Sequence, residues 1–244
     1  MGFNVPLKTL PQNASIIHRW RMEEASGTRS DSVGTCHLTD NNTVLSSLVR
    51  MEGNRSADFE LANSEYLSAN STDSADMNFT SENFSISFLV NFESLSTQQH
   101  FVNRGEGNVD GYYFYTTSAD ILTLTVNQAG ANQTVAAKSG LLTTGTWTHL
   151  VAVRDGATGY IYVNRTDETS ASDTLINPVT ATRTLYIGRY EIAANYLDGL
   201  MDDIIVWSGV ALSASEVGYL YNLYKTRGFP TLTSRTSPIY KQLE

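Results

Sequence analysis

The chain has 244 residues, 41% of them hydrophobic and only 17% charged, with a formal net charge of −9. That length suits one large β domain, and the excess of acid argues against a surface that grips nucleic-acid phosphates. No apolar run is long enough to cross a bilayer as a helix, and the opening MGFNVPLKTLPQNAS lacks the apolar heart of an export signal, so synthesis in a cytoplasm without a Sec signal is expected.

Residues 1–14 read as an extended N-terminal arm, punctuated by Pro6 and Pro11. From 16 to 224, short β-rich runs alternate with turn clusters such as Asn41-Asn-Thr, Asn70-Ser-Thr-Asp-Ser, Gly105-Glu-Gly-Asn and Gly156-Ala-Thr-Gly. Turn signals recur about every ten residues, the pattern of an antiparallel sandwich. The strongest strand candidates are 84–92, 112–116, 122–127, 149–154, 160–164 and 184–188. Asp155-Gly156 is a tight-turn signal that joins Leu150-Val-Ala-Val-Arg154 to Ile161-Tyr-Val163 as a hairpin. Ser213-Ala-Ser-Glu216 is a capping box and predicts one short helical turn over 213–220. Residues 225–244 read as an extended C-terminal arm around a 15–224 domain. Its Phe229, Leu232, Ile239 and Tyr240 are more apolar than a free tail requires and predict docking on a partner or on the body. Both ends are basic, +3 over 1–22 and +3 over 225–244, which leaves 9 basic and 24 acidic residues between them.

Two stretches carry chemistry. Adjacent Asp202 and Asp203 lead into Ile204-Ile-Val-Trp207. Strand alternation sends one of them to solvent and the other inward, with Asp203 and Asp198 read as surface or turn residues. An inward carboxylate needs compensation, by a metal ion or by backbone amides in a turn. In Tyr112-Tyr-Phe-Tyr115, alternation places Tyr112 and Phe114 on one face and Tyr113 and Tyr115 on the other. One pair therefore belongs to the core, and the other is available as a sugar platform. Arg104, Asp110, Arg189, Tyr190 and Tyr196 lie near predicted turns that rim the same face; amphipathic tyrosines at the rim of an ordinary core give the same pattern. Catalytic signatures are missing from the sequence: there is no Glu-x-Asp-x-Glu strand, no His/Cys cluster and no Gly-x-Ser-x-Gly elbow, so a non-enzymatic protein is expected. The lone Cys36 allows no internal disulfide and reads as a buried thiol.

In order, Trp-x-His-Leu through Asp-Gly to Ile-Tyr-Val-Asn (147–164), Leu-Tyr-Ile-Gly-Arg (185–189), Asp-Gly-Leu-Met-Asp-Asp-Ile (198–204) and Ala-Leu-Ser-Ala-Ser-Glu-Val (211–217) resemble the laminin G-like, concanavalin A-like sandwich family. His18-Arg-Trp-Arg-Met-Glu23, Asp31-Ser-Val-Gly34 and Phe84-Ser-Ile-Ser-Phe-Leu-Val90 extend the resemblance over roughly 15–224. It implies an all-β fold, an antiparallel two-sheet jelly-roll sandwich, with Trp20, Trp147 and Trp207 in core positions. It also implies a structural calcium ion between the first strand region and the last long strand, at Glu23, Asp31 and Asp202. The expected function is a lectin-like binding or adhesion module with Tyr113, Tyr115, Arg104, Arg189, Tyr190 and Tyr196 as glycan contacts. Its expected setting is a larger assembly, a phage virion surface such as a capsid decoration or tail, with the arms as anchors to structural proteins. The alternative is a soluble carbohydrate-binding protein or an accessory module of polysaccharide processing. Neither nucleic acid nor membrane insertion is expected, and self-association into a homo-oligomer is compatible with both readings.

Overall fold

The computed structural model describes residues 4–193 and 195–228. In chain order its strands are β1 Ile16–Trp20, β2 Thr39–Asn41, β3 Leu45–Ser47, β4 Ser56–Phe59, β5 Tyr66–Ala69, β6 Phe84–Phe92, β7 Gln99–Glu106, β8 Asp110–Thr116, β9 Leu122–Gln128, β10 Ala131–Ala137, β11 Trp147–Asp155, β12 Thr158–Val163, β13 Thr166–Asp167, β14 Thr169–Ser172, β15 Leu185–Ile187 and β16 Gly199–Ser208. One helix, α1 Ala214–Gly228, follows them. The first sheet runs β13-β12-β11-β6-β16-β4-β3, with β1 also paired to β16. The second runs β14-β10-β9-β8-β7-β15-β5-β2. Every pairing between strands is antiparallel, so the jelly-roll sandwich read from the sequence is the fold.

All nine residues of β6 are buried, which a strand with one wet face cannot achieve. Phe84, Ile86, Phe88, Val90 and Phe92 point between the sheets and stack with Phe101, Phe114 and Tyr112 from the second sheet. Burying each such ring contributes about 2 kcal/mol. Leu89, from the opposite side of β6, joins a second apolar layer with Ile205, Trp207, Val151 and Val153. Val217, Leu220 and Tyr224 of α1 cover that layer together with Val5, Leu10 and Met51. This layer covers the outer face of the first sheet over β11, Leu89 of β6 and the second half of β16.

Covering it needs more helix and a less extended arm than the sequence predicts. The capping box forms as read: Ser213 N donates to Glu216 Oε2 at 2.9 Å and Glu216 N to Ser213 Oγ at 3.3 Å. The helix then continues past 220, because the apolar stripe at 217, 220 and 224 keeps its period across Gly218 and no glycine or proline stands between 220 and Gly228. At the other end, residues 7–9 and 13–15 form 3-10 turns. Trp207 Nε1 donates to Pro11 O at 2.9 Å and Gln12 Nε2 to Glu216 Oε1 at 2.6 Å, pinning the segment down. Trp20 and Trp207 are fully buried, Trp207 in the outer layer, whereas Trp147 is half-buried beside it. Cys36 is buried, as expected, and burial pushes its thiol up to about 12.

β16 changes partner along one edge, pairing β4 at 199–201 and β1 at 204–207. Between these lies a register shift against β6, and Asp203 adopts φ +44°, the left-handed region. The bulge breaks the alternation, so both Asp202 and Asp203 are fully buried. The expectations that one of them faces solvent and that Asp203 is a surface or turn residue are corrected accordingly.

Candidate functional site

Alternation along β8 holds: Tyr112 and Phe114 are core residues, and Tyr113 and Tyr115 stand on the outer face of the second sheet. Register places Tyr113 beside Thr125 of β9 and Asn103 of β7, and Asn103 beside Tyr186 of β15. Tyr186 faces outward because Leu185 and Ile187 are in the core. Its neighbour Ser68 continues the row to β5. Gly188, at φ +84° and with a Cβ position only 2.8 Å from the Phe59 ring, turns the chain back over this face.

The residues after that turn assemble two aromatic groups. Tyr190 stacks on His100 at 4.6 Å, and His100 on Tyr115 at 4.8 Å, with Tyr113 edge-on to Tyr190 and Tyr115 at 5.4 Å. The Tyr190 hydroxyl accepts from Gly107 N at 3.0 Å. In the second group the Arg189 guanidinium lies 4.6 Å from the Tyr66 ring, 4.8 Å from Tyr186 and 5.6 Å from Tyr196. Arg183 ties this segment to the β7–β8 hairpin by pairing with Glu106 (2.5 Å), Asp110 (2.5 Å) and Glu191 (3.0 Å).

Polar atoms are left over beneath the rings. Burial pushes the His100 imidazole down to about 3, so the ring is neutral. Gln98 Nε2 lies 2.9 Å from its Nε2, and its buried Nδ1 has no partner among the described residues. Asn103 donates to Gly105 O, but its buried Oδ1 has no partner among the described residues. Unmet buried groups of this kind mark a place where a further polar partner is stabilising. Five of the six expected glycan contacts thus meet on one face: Tyr113, Tyr115, Arg189, Tyr190 and Tyr196. Arg104 does not. Its partner across β7–β8 is the core residue Tyr112, and its guanidinium is buried against Ser74, Asn78 and the Ala181 carbonyl. Even spacing on β7 fails to show this, because a bulge at His100–Val102 resets the faces. Tyr66, Tyr186, His100 and Asn103 join the face unannounced by sequence, since only pairing register brings β5, β7 and β15 together.

A family model described as the concanavalin A-like lectin/glucanases superfamily matches residues 62–218. The chain belongs to that superfamily. No curated protein sequence matches this superfamily member. Among solved structures, the binding domain of Paraclostridial Mosquitocidal Protein 1 is similar at 15% identity, TM-score 0.72, over 90% of this chain and 53% of that one. Domain 4 of AbnA, an extracellular arabinanase from Geobacillus stearothermophilus solved with arabinotriose, is similar at 18% identity, TM-score 0.58, over 85% of this chain and 98% of that one. Botulinum neurotoxin type C, whose cell entry is dependent upon interaction with two ganglioside molecules, is similar at 14% identity, TM-score 0.60, over 86% of this chain and 51% of that one. The chain spans about half the length of the toxin structures, so these likenesses establish the fold and leave their ligands with them.

The carboxylates expected to hold calcium lie in this superfamily member's first-sheet region, but they do not form one site. Asp31 accepts from Arg19 N, Val33 N and Cys36 N, and its Oδ2 is 2.6 Å from His18 Nδ1. Glu23 accepts from Asn54 N at 2.8 Å, sitting where any side chain at Gly53 would collide with it. Asp202 Oδ2 accepts from Met51 N and Glu52 N, both at 2.8 Å. Their oxygens do not all come within 4.8 Å of one another. The donors are backbone amides and a histidine, so these residues do not fit a shared ion. Around Asp202 the compensation is ionic. Arg19 makes a two-pronged pair with Asp203 (2.6 and 2.9 Å), Tyr224 donates to Asp203 at 2.8 Å, and Arg21 pairs with Glu52 at 2.8 Å. Among the described residues Asp202 has no cation within 4.0 Å, and its Oδ1 has no partner. Burial, reinforced by the charges of Asp203 and Glu52, pushes it well above the carboxylate range.

Among the described residues one carboxylate trio does converge, Glu60, Glu93 and Asp198, within 4.8 Å. It lies by an open groove of about 460 Å³ that includes Val49, Phe92, Glu93 and Leu200. Burial and the neighbouring acids raise Glu93 and Asp58 there. The docking residues Phe229, Leu232, Ile239 and Tyr240 lie outside the described residues.

Proposed function

We propose that this chain is a non-enzymatic, lectin-like module that binds glycan on the outer face of its second sheet. The observation that carries the reading is the row Tyr113–Asn103–Tyr186 with the rings gathered around it. Aromatic faces stack on the apolar side of a sugar ring, while phenols, amides and a guanidinium meet its hydroxyls. The ligand classes named for similar folds, arabinotriose and gangliosides, support the same class of ligand here. The wider setting we propose is display on a larger assembly, a virion surface in particular. Its support is the +3 charge of the sequence 225–244 with its apolar Phe229, Leu232, Ile239 and Tyr240, and removing residues 228–244 should abolish incorporation while leaving a folded domain.

A glycan array tests the binding role, with Tyr115→Ala and Tyr186→Ala as variants. Each should bind about ten-fold more weakly at an unchanged melting temperature, the weight of one stacked ring and its contacts. A blank array across neutral and acidic glycans, or undiminished binding by both variants, overturns the proposal.

A further inference from the structure

We infer that the face selects an anionic oligosaccharide, lying across the strands with its carboxylate or sulfate on Arg189. This rests on the glycan-binding reading above and adds the charge and the reach of the ligand.

Reach comes from register. Tyr113 and Tyr186 are separated by β7 alone, two strand spacings or roughly 10 Å. That exceeds one sugar ring, so a ligand touching both aromatic groups is a chain, running over Asn103. Arg189 and Tyr190 are consecutive, so the two groups are held side by side: Arg189 Nε donates to Tyr190 O at 3.0 Å.

Charge comes from Arg189. Its Nη2 donates to Glu191 O at 3.0 Å, and its Nη1 has no acceptor among the described residues. Among the described residues no carboxylate lies within 4.0 Å of it. The other cations nearby are spoken for: Arg183 faces three carboxylates, and Arg104 is buried on the core side. Stacked between tyrosines, the Arg189 fork is oriented in advance, which favours a planar or tetrahedral oxyanion over scattered hydroxyls. Glu106, Asp110 and Glu191 exceed Arg183 in charge, so the preference must arise by contact with Arg189 and not by long-range attraction.

The test uses matched ligands after the array. A six-sugar oligogalacturonate is titrated against its methyl-esterified form, and sulfated carrageenan oligosaccharides against their desulfated forms; the two arms separate carboxylate from sulfate. In at least one arm the anionic member should bind about ten-fold or more tightly, the worth of a charge-assisted hydrogen bond. Arg189→Gln should bring the pair within about two-fold of each other, and Arg189→Lys should keep part of the preference. Melting curves confirm that both variants fold. Array hits confined to neutral glycans, no preference in either arm, a preference that survives Arg189→Gln, or galacturonate alone binding as tightly as the hexamer would each overturn the inference while the glycan reading stands. A blank array overturns both.

Discussion

The two sheets of this sandwich face outward in opposite ways. Beyond the first lies an apolar layer built from α1, residues 5–16 and Met51, and the charged groups within it, Asp202 excepted, are paired into an ionic network. Beyond the second lie half-buried tyrosines, a free guanidinium edge and polar atoms without a partner among the described residues. The same alternation of side chains produced both faces. The difference separates a face closed by apolar packing from one on which aromatic rings and polar groups stay at the surface.

The largest effect should come from opening the closed side. Asp203→Ala takes from Arg19, which is 3% exposed, its two-pronged partner, leaves it only Glu52 at 3.4 Å, and removes the acceptor of the Tyr224 hydroxyl. Removing one partner of a buried ion pair costs about 3–5 kcal/mol. Urea unfolding should show a loss of that size, with glycan affinity of the folded fraction unchanged. A loss below about 1 kcal/mol, the level of a surface pair, would mean that the network does not hold the layer together.

Next in size is the response to pH. Asp202 is raised well above 3.8, and Glu52 is pushed up to about 7 by burial and the Asp203 charge, against the pull of Arg19. His18, between Asp31 and Asp76 at 2.6 and 2.8 Å, is raised from 6.5. In all three the folded state binds protons more tightly than the unfolded chain does. Stability should therefore fall as pH rises from about 4.5 to 7, and further through the raised values of His18 and Asp202. Asp31 works the other way: lowered mainly by His18 against its own burial, it loses stability only as pH drops below its ordinary 3.8. Asp202→Asn mimics the protonated form, keeps an acceptor for Met51 N and Glu52 N, and should flatten part of the fall while raising stability at about pH 8. If Asp202→Asn lowers the melting temperature at that pH, Asp202 is held ionised by something other than the protein.

What the sequence made legible follows from where its periods are unbroken. Tyr112 through Tyr115 sort correctly between the faces because β8 has no bulge, and the helix start is visible because Ser213 and Glu216 form a local pair. Asp203 escapes the alternation because it lies within the Asp202–Ile205 register shift, and Arg104, placed at the rim by its nearness to the turn at Gly105, belongs to β7 opposite the core residue Tyr112. The aromatic partners Tyr66 and Tyr186 sit 120 residues apart in sequence and meet only through the β5–β15 pairing. Val5 and Leu10 looked like part of a free arm because prolines announce where a helix cannot form, not which surface a segment covers.

Arg104 offers the smallest and most discriminating comparison with the open face. It was expected among the glycan contacts, yet it is buried under the sheet and hydrogen-bonded to Ser74, Asn78 and the Ala181 carbonyl. Burial lowers its guanidinium from the ordinary range, with no carboxylate at contact distance to restore it. Arg104→Met keeps the apolar stem and leaves only neutral acceptors unmet, a cost of about 1–3 kcal/mol in urea unfolding. Glycan affinity should not move, because Arg104 and Tyr113 stand on opposite sides of one sheet. If instead affinity falls as far as it does for Tyr115→Ala at equal stability, the ligand enters from the core side of β7, and the outer face is ordinary packing.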